Sequence, residues 1–177
     1  MQDVPDEGDL AKVTELIRGI RIALLTTADT DGRLHSRPVQ TLQVESNRTL
    51  WFFTDWSSHK VKEVTNDGHV SLGFVDSTRS IFVVVNGTAT LVRDPAKARE
   101  LWTVEQRAYY PDGPDDTRLA LLRVELERAE YWLAPGRASY LVAAARAATT
   151  GEPAGIIGRH GEVNSPQGSE RGLLPGR

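Results

Sequence analysis

The sequence contains no cysteine, and this absence excludes several kinds of protein at once. Disulfide bonds, thiolate metal ligands and cysteine nucleophiles all require that side chain. Neither sign of charge dominates, since 24 acidic residues face 21 lysines and arginines, for a net charge of −3 at pH 7. A nucleic-acid-binding surface needs a basic face, so we do not expect DNA or RNA as a partner.

Long hydrophobic runs are also missing. No apolar run approaches the roughly 20 residues that a helix needs to cross a bilayer. The segment Met1–Glu7 is acidic and lacks the apolar core of a signal peptide. We therefore expect a cytoplasmic protein that does not bind membranes.

Patterns typical of metal sites and phosphate loops are absent as well. The histidines do not share metal-ligand spacing, and the aspartates near residue 115 do not follow the spacing of a calcium loop. We therefore expect no metal. No glycine-rich phosphate loop of the Rossmann or Walker type is present.

The length of 177 residues fits one domain. We expect residues 1–8 to be a flexible N-terminus and residues 9–148 to form that domain. Residues 149–177 are rich in glycine and proline and have little apolar periodicity, which predicts a poorly ordered tail.

The periodicity within the domain predicts a mainly β protein of the α+β class. Helices are expected over residues 9–18, 58–66, 94–106 and 139–148, and strands over 22–27, 34–44, 50–54, 69–75, 81–92 and 119–133. Most connections are too short for parallel crossovers, so the six strands should form an antiparallel barrel.

The fifth predicted strand, residues 81–92, carries two further expectations. Its first half is apolar at successive positions, which indicates burial on both faces. Gly87 lies in its interior, where a glycine suggests a β-bulge or a close approach of two backbones.

The stretch Arg37–Lys60 has the strongest functional pattern. An arginine-bearing strand precedes an apolar strand, which leads into a helix that opens with Ser57, Ser58, His59 and Lys60. Free backbone N–H groups and the helix dipole favour an anion at such a helix start. The guanidinium of Arg37 suits bidentate phosphate contacts.

Simpler interpretations stay open at this point. The cluster Ser57–Lys60 is also typical of an ordinary capped helix with a solvated first turn. Arg37 alone is typical of a surface ion pair. Lysine in a first helical turn opposes the helix dipole, which favours a bound anion. Tryptophans usually pack in a core or an interface, although Trp132 lies where it could cover a flat ring.

Several motifs together resemble the flavin-binding split-barrel superfamily that includes the pyridoxamine 5′-phosphate oxidases. These motifs are Ser36–Val39, Trp51–Asp55 and Ser58-x-Lys60. Later motifs resemble its bacterial general stress protein branch, namely Val85–Ala89, Asp94-Pro95, Tyr110–Asp116, Leu121–Val124 and Glu130–Trp132. The resemblance covers about residues 8–145.

The resemblance implies a six-stranded split barrel, a homodimer, and FMN at the dimer interface. By position it implies that the flavin contacts Arg37, Pro38, Val39, Gln40, Phe53 and Thr54. It implies that Ser58, His59 and Lys60 hold the phosphate, with His59 where many relatives have arginine. Trp132 would pack near the flavin.

The resemblance leaves the reaction open. The oxidases carry a C-terminal Arg-x-His motif, whereas this sequence has Gly136-Arg137-Ala138-Ser139-Tyr140 there. Oxidation of vitamin B6 compounds is therefore not expected. We expect an FMN-dependent oxidoreductase with an unknown substrate. The alternatives are a flavin-binding stress protein or sensor without turnover, or a split barrel that uses FAD, the deazaflavin F420 or haem.

Overall fold

The computed structural model describes residues 7–45, 48–134, 137–151 and 159–164. Its helices are α1 (Glu7–Arg18), α2 (His59–Asn66), α3 (Pro95–Leu101) and α4 (Arg137–Thr150). Its strands are β1 (Ile22–Ala28), β2 (Leu34–Val44), β3 (Thr49–Asp55), β4 (His69–Asp76), β5 (Ile81–Val92), β6 (Leu119–Leu133) and β7 (Arg159–Asn164). Two short 3-10 helices, Val104–Ala108 and Gly113–Asp115, lie between α3 and β6.

The first six strands close into an antiparallel barrel, which confirms the predicted fold. The strand order is β3-β2-β1-β4-β5-β6, and a further pairing of β3 with β6 completes the ring. The interior is filled by alternate residues of each strand, with Leu25, Phe52, Leu72 and Phe74 fully buried. The α1 residues Val13 and Ile17 belong to the same core.

The long strand β6 makes the barrel a split one. Its first half pairs with β3, from Leu119 to Glu125. Its second half, from Arg128 to Leu133, pairs with β7 along the same edge of β6. Residues 159–164 therefore differ from the prediction of a poorly ordered tail. The physical reason is that Val163 is buried in the barrel core, although no alternating pattern around it marks a strand.

Two local predictions need correction. The predicted helix 94–106 begins as expected, because Asp94 caps the amide of Lys97 and Pro95 follows at the first helical position. However, it ends at Leu101, since Trp102 is extended and packs against Phe53, 5.9 Å between ring centroids. The tertiary contact therefore overrides local helix propensity.

The start of β5 is not buried on both faces. Its burial alternates, with Ile81 and Val83 in the core and Phe82 42% exposed. The prediction was wrong because an apolar residue can face outward as well as inward.

The prediction for Gly87 is confirmed. The register between β5 and β6 shifts between Asn86 and Gly87, which is a β-bulge. A Cβ atom at Gly87 would lie 2.0 Å from the carbonyl oxygen of Glu125. Only glycine permits this approach of the two backbones.

No helix in the described part of the chain is both long enough and apolar enough to cross a membrane.

Candidate functional site

A cleft of about 600 Å³ lies on the outer side of the barrel, where β1, β2 and β3 meet the segment after α3. It is lined by Ile22, Pro38, Val39, Gln40, Leu42, Phe53, Thr54, Asp55, Lys60, Gln106, Tyr109 and Tyr110. The antiparallel register places Ile22 opposite Gln40, so β1 and β2 form a continuous floor. Clefts of this size and mixed lining are typical of small-molecule and cofactor sites.

The cation of the cleft is Lys60, in the first turn of α2. Its side chain is partly buried, and no carboxylate in the described part of the chain lies within ion-pairing distance. Burial, reinforced by the nearby charge of Arg37, holds the pKa of Lys60 below its usual value. The charges of Asp55 and Glu63 partly offset these two effects from beyond ion-pairing distance, and an anion in contact with Lys60 would offset them further.

The loop before α2 is fixed by a local turn. The Asp55 carboxylate accepts hydrogen bonds from the amide and the hydroxyl of Ser57, at 2.8 and 2.6 Å. These bonds keep the pKa of Asp55 below its usual value, so Asp55 is ionised. Ser58 occupies the N-cap position but makes no side-chain capping bond, and its hydroxyl lies 3.4 Å from that of Thr54. The Ser58 hydroxyl is therefore not committed to the helix.

Arg37 lies next to the cleft and is held by the barrel. Its guanidinium donates to Glu63 Oε2 at 2.7 Å and to the hydroxyl of Thr27. Thr27 in turn donates to Glu63 Oε2 at 2.6 Å. Burial opposes ionisation of Glu63, but Thr27 and Arg37 outweigh it and lower the Glu63 pKa. Arg37 thus links β1, β2 and α2 and adds positive charge beside Lys60.

Aromatic rings form part of the lining of the cleft. Phe53 of β3 packs against Trp102 and, edge to face, against Tyr110 at 6.2 Å. Burial, with the charges of Asp55 and Asp116, raises the pKa of Tyr110 to about 12. The Tyr110 hydroxyl therefore stays protonated at neutral pH. Rings of this kind suit a flat aromatic ligand.

Gln106 is the polar residue of the cleft that sequence reasoning missed. It lies in the Val104–Ala108 3-10 helix and is only 3% exposed. Its Nε2 is buried and has no hydrogen-bond partner. The sequence does not indicate that Gln106 lines the cleft, because it predicts Gln106 only as the last residue of the helix 94–106.

The structure brings together six of the ten residues predicted to bind a cofactor. Pro38, Val39, Gln40, Phe53, Thr54 and Lys60 line the cleft. Arg37 and Ser58 are not part of the lining, but Ser58 contacts the lining residue Thr54, and the charge of Arg37 acts on Lys60. His59 is exposed and is not part of the lining.

Trp132 lies elsewhere on the sheet. It pairs with Phe82 in the neighbouring strand, and its ring stacks on His160 of β7 at 5.1 Å between centroids. Trp132 does not line the cleft of its own chain.

No group of three metal-ligating His, Asp or Glu side chains occurs within residues 7–45, 48–134, 137–151 and 159–164.

The six strands form a split barrel whose outer side carries a cleft with aromatic lining and a partly buried lysine at a helix start. The family model described as "pyridoxamine 5′-phosphate oxidase like" matches residues 8–154. The chain therefore belongs to the pyridoxamine 5′-phosphate oxidase-like family.

Individual relatives agree with this assignment. The chain is 27% identical to protein bli-3 of Neurospora crassa over 165 residues, which cover 87% of this chain and 79% of bli-3. A general stress FMN/FAD-binding protein of Xanthomonas citri is 27% identical, with a TM-score of 0.63 over 74% of this chain and 92% of that one. A Clostridium acetobutylicum protein related to general stress protein 26 is 26% identical, with a TM-score of 0.63 over 72% and 90%.

The residues of this cleft fit a flavin nucleotide. Lys60 offers an unpaired cation for a phosphate, and Phe53 and Tyr110 offer ring surfaces.

Proposed function

We propose that this protein is an FMN-binding flavoprotein of the general stress type. The observation that carries the proposal is Lys60, a partly buried cation with no carboxylate partner in the described chain, at the end of an aromatic cleft. The description of the Xanthomonas citri relative as an FMN/FAD-binding protein supports a flavin as the ligand. FMN is the smaller of the two and carries the single phosphate that one lysine and one helix start can hold.

Nine of the ten predicted residues, all except Trp132, then have a role in the proposal. Lys60, Ser58 and the first amides of α2 hold the phosphate, with exposed His59 at its outer side. Arg37 positions β2 and α2 and adds positive charge. Pro38, Val39 and Gln40 support the ring along β2, and Phe53 and Thr54 support it along β3.

The proposed chemistry is oxidation and reduction at the flavin. A bound flavin supplies hydride-transfer chemistry, while the protein binds and orients the ring. Asp55 is ionised and Tyr110 is protonated at neutral pH, and the described lining contains no histidine. These groups favour a reaction without a protein acid or base, and the substrate stays open.

We also propose a homodimer with the flavin at its interface. Exposed apolar residues form a row across the outer face of the sheet, which we call the apolar row: Ile22, Val75, Phe82 and Trp132. The pairings Val75–Phe82 and Phe82–Trp132 make these residues cross-strand neighbours, and the Ala23–Phe74 pairing places Ile22 beside Val75. Ile22 also lines the cleft, so a partner on the row would reach the flavin.

A comparison of FMN with riboflavin tests the function. Riboflavin has the same ring as FMN but no phosphate. The protein should therefore bind FMN at least about tenfold more tightly than riboflavin, which is the affinity that one charge-assisted hydrogen bond to the phosphate contributes. Fluorescence quenching measures both affinities, and the absorbance spectrum of the purified protein identifies a flavin, a deazaflavin or haem. If FMN neither raises the melting temperature nor loses fluorescence, the proposal is wrong.

Turnover needs a separate measurement. Anaerobic reduction of the bound flavin by NADH or NADPH, followed by reoxidation with an acceptor, would support an oxidoreductase. Tight FMN binding without such reduction would instead support a stress-response binder or sensor.

A further inference from the structure

A short segment of the chain separates the proposed flavin cleft from a second cavity. This cavity, which we call the side groove, has a volume of about 510 Å³ and lies between the end of α1, β2 and the 3-10 helix that follows α3. Residues 103–106 line the side groove, while Gln106, Tyr109 and Tyr110 line the cleft. Residues 103–110, which we call the lid segment, are therefore a wall common to both spaces.

The main chain of the lid segment makes local hydrogen bonds. The amide of Gln106 donates to the carbonyl of Thr103 at 3.1 Å, and the amides of Tyr109 and Tyr110 donate to the carbonyl of Gln106 at 3.0 and 2.9 Å. Hydrogen bonds in a 3-10 helix have poorer geometry than those in an α-helix. Side chains therefore attach the lid segment to the barrel.

These side-chain contacts lie at both ends of the lid segment. At one end, buried Tyr110 packs edge to face against Phe53, at 6.2 Å between ring centroids. Towards the other end, the carboxylate of Glu105 forms an ion pair with Arg21, in the connection between α1 and β1. The carbonyl of Arg21 accepts a hydrogen bond from the amide of Thr41 in β2 at 2.8 Å, which fixes this side of the pair to the sheet. No other ion pair joins the lid segment to a residue that the structure describes.

Two features make the closed position of the lid segment easy to leave. The side chains of Arg21 and Glu105 are 68% and 55% exposed, and such a pair shifts an equilibrium by at most about fivefold. The side chain of Gln106 is buried, but its Nε2 has no hydrogen-bond partner. A buried donor without a partner destabilises the closed position, and opening would return it to water.

We propose that the lid segment opens and closes the flavin cleft and that the ion pair of Arg21 with Glu105 is its latch. The cleft and the side groove share Gln40, Leu42 and Gln106, so displacement of the lid segment joins the two spaces into one passage. A flavin then enters and leaves along the side groove. The inference rests on the proposed flavin site and deepens it, since it names the contact that controls flavin exchange.

The rate of FMN release tests the latch. Full-length protein loaded with FMN is diluted, and the recovery of flavin fluorescence gives the rate. Arg21→Gln and Glu105→Gln should each accelerate release about two- to fivefold, which is the effect of losing an exposed ion pair. Arg107→Gln is the control, because Arg107 is exposed in the same 3-10 helix, lines neither space and removes the same charge as Arg21→Gln. It should release FMN at the wild-type rate.

The opposite charges of the two latch residues separate a latch from simple attraction of the anionic FMN. Attraction alone would make release faster in Arg21→Gln but slower in Glu105→Gln, whereas loss of a latch makes both faster. The double variant Arg21→Glu with Glu105→Arg restores an ion pair of reversed polarity. Its release rate should return to within about twofold of the wild-type rate.

Hydrogen exchange of the flavin-free protein gives a second measurement that does not depend on FMN. Amides that open locally exchange faster when the contacts that close them are lost. The amides of residues 103–110 should therefore exchange faster in Arg21→Gln and Glu105→Gln than in the wild-type protein. In Arg107→Gln they should exchange at the wild-type rate.

The outcomes separate the two proposals. If the wild-type protein binds no FMN, the proposed function is wrong, and the control of flavin exchange falls with it. If FMN binds but both latch variants release it at the wild-type rate, or Glu105→Gln releases it more slowly, only the inference of a lid is overturned. Unchanged exchange of residues 103–110 in both latch variants would overturn it as well.

Discussion

The role proposed for Lys60 depends on the surroundings of its side chain. A lysine in the first turn of a helix opposes the dipole, and burial further disfavours its charge. A bound phosphate would offset both costs. The neighbouring Lys62 is exposed on the same helix and has neither feature.

The first prediction compares these two lysines. Lys60→Gln should weaken FMN binding about tenfold or more, since a charge-assisted hydrogen bond contributes roughly 1.5–3 kcal/mol. It should leave riboflavin binding unchanged, because riboflavin has no phosphate. Lys62→Gln should change neither affinity. Fluorescence titration measures all four constants, and equal losses for FMN and riboflavin would contradict a phosphate role.

The second prediction concerns the ion pair of Arg37 with Glu63. The pKa of Glu63 in the folded protein is below its ordinary value of 4.5, so this carboxylate stabilises the fold above about pH 4.5. The contribution is lost as the pH falls through the lower, folded value. Glu63→Gln should therefore reduce the free energy of unfolding by about 1–3 kcal/mol at neutral pH. Below pH 4.5 the difference from wild type should shrink.

Urea unfolding of both proteins across this pH range measures the effect. The control is Glu15→Gln, whose ion pair with Lys12 is exposed and should contribute little. A difference between wild type and Glu63→Gln that is the same at every pH would show that the Glu63 charge does not stabilise the fold.

At the scale of elements, the bulge in β5 gives the third prediction. A Cβ at Gly87 would collide with the backbone of Glu125, whereas at Gly73 of β4 the nearest atoms are 4.0 Å away. Gly87→Ala should lower stability by about 1–3 kcal/mol, as overpacking does. Gly73→Ala should be near neutral. Thermal unfolding of the two variants should differ by several degrees, and equal melting temperatures would contradict the close approach.

Elements with local signals were predictable from the sequence. Runs of apolar and β-branched residues between turn signals mark β1 to β6, Asp94-Pro95 marks the start of α3, and Gly87 marks the bulge. Elements set by tertiary contacts were not predictable. Trp102 leaves its helix because Phe53 offers a packing partner, and β7 forms because the second half of β6 lacks another neighbour on that edge.

The candidate site divides in the same way. Pro38 to Gln40, Phe53, Thr54 and Lys60 lie within short sequence motifs, and the structure gathers them in one cleft. Gln106 and Tyr110 reach the same cleft from a segment more than 40 residues later. Only the packing of that segment on β3 brings them there, through the contact of Phe53 with Tyr110.

At the scale of the whole molecule, the apolar row needs an explanation. Its four residues are between 39% and 56% exposed, although all of them lie on regular strands of one sheet face. Contiguous exposed apolar surface of this kind marks an interaction site. A second copy of the chain is a suitable partner, because a two-fold axis would set one row against the other.

The fourth prediction follows from the position of Phe82 within the row. Phe82→Lys places a charge between Val75 and Trp132 and, across the two-fold axis of the proposed dimer, near its own copy. It should therefore convert the proposed dimer into a monomer. Light scattering after size exclusion measures this change. Because Ile22 belongs to both the row and the cleft, the monomer should also bind FMN more weakly.

Leu141→Lys is the control, since Leu141 is an exposed apolar residue of α4, outside the row. A monomeric wild-type protein, or a Phe82→Lys variant that stays dimeric, would show that the row serves another purpose; a monomer with unchanged FMN affinity would instead place the flavin within a single chain.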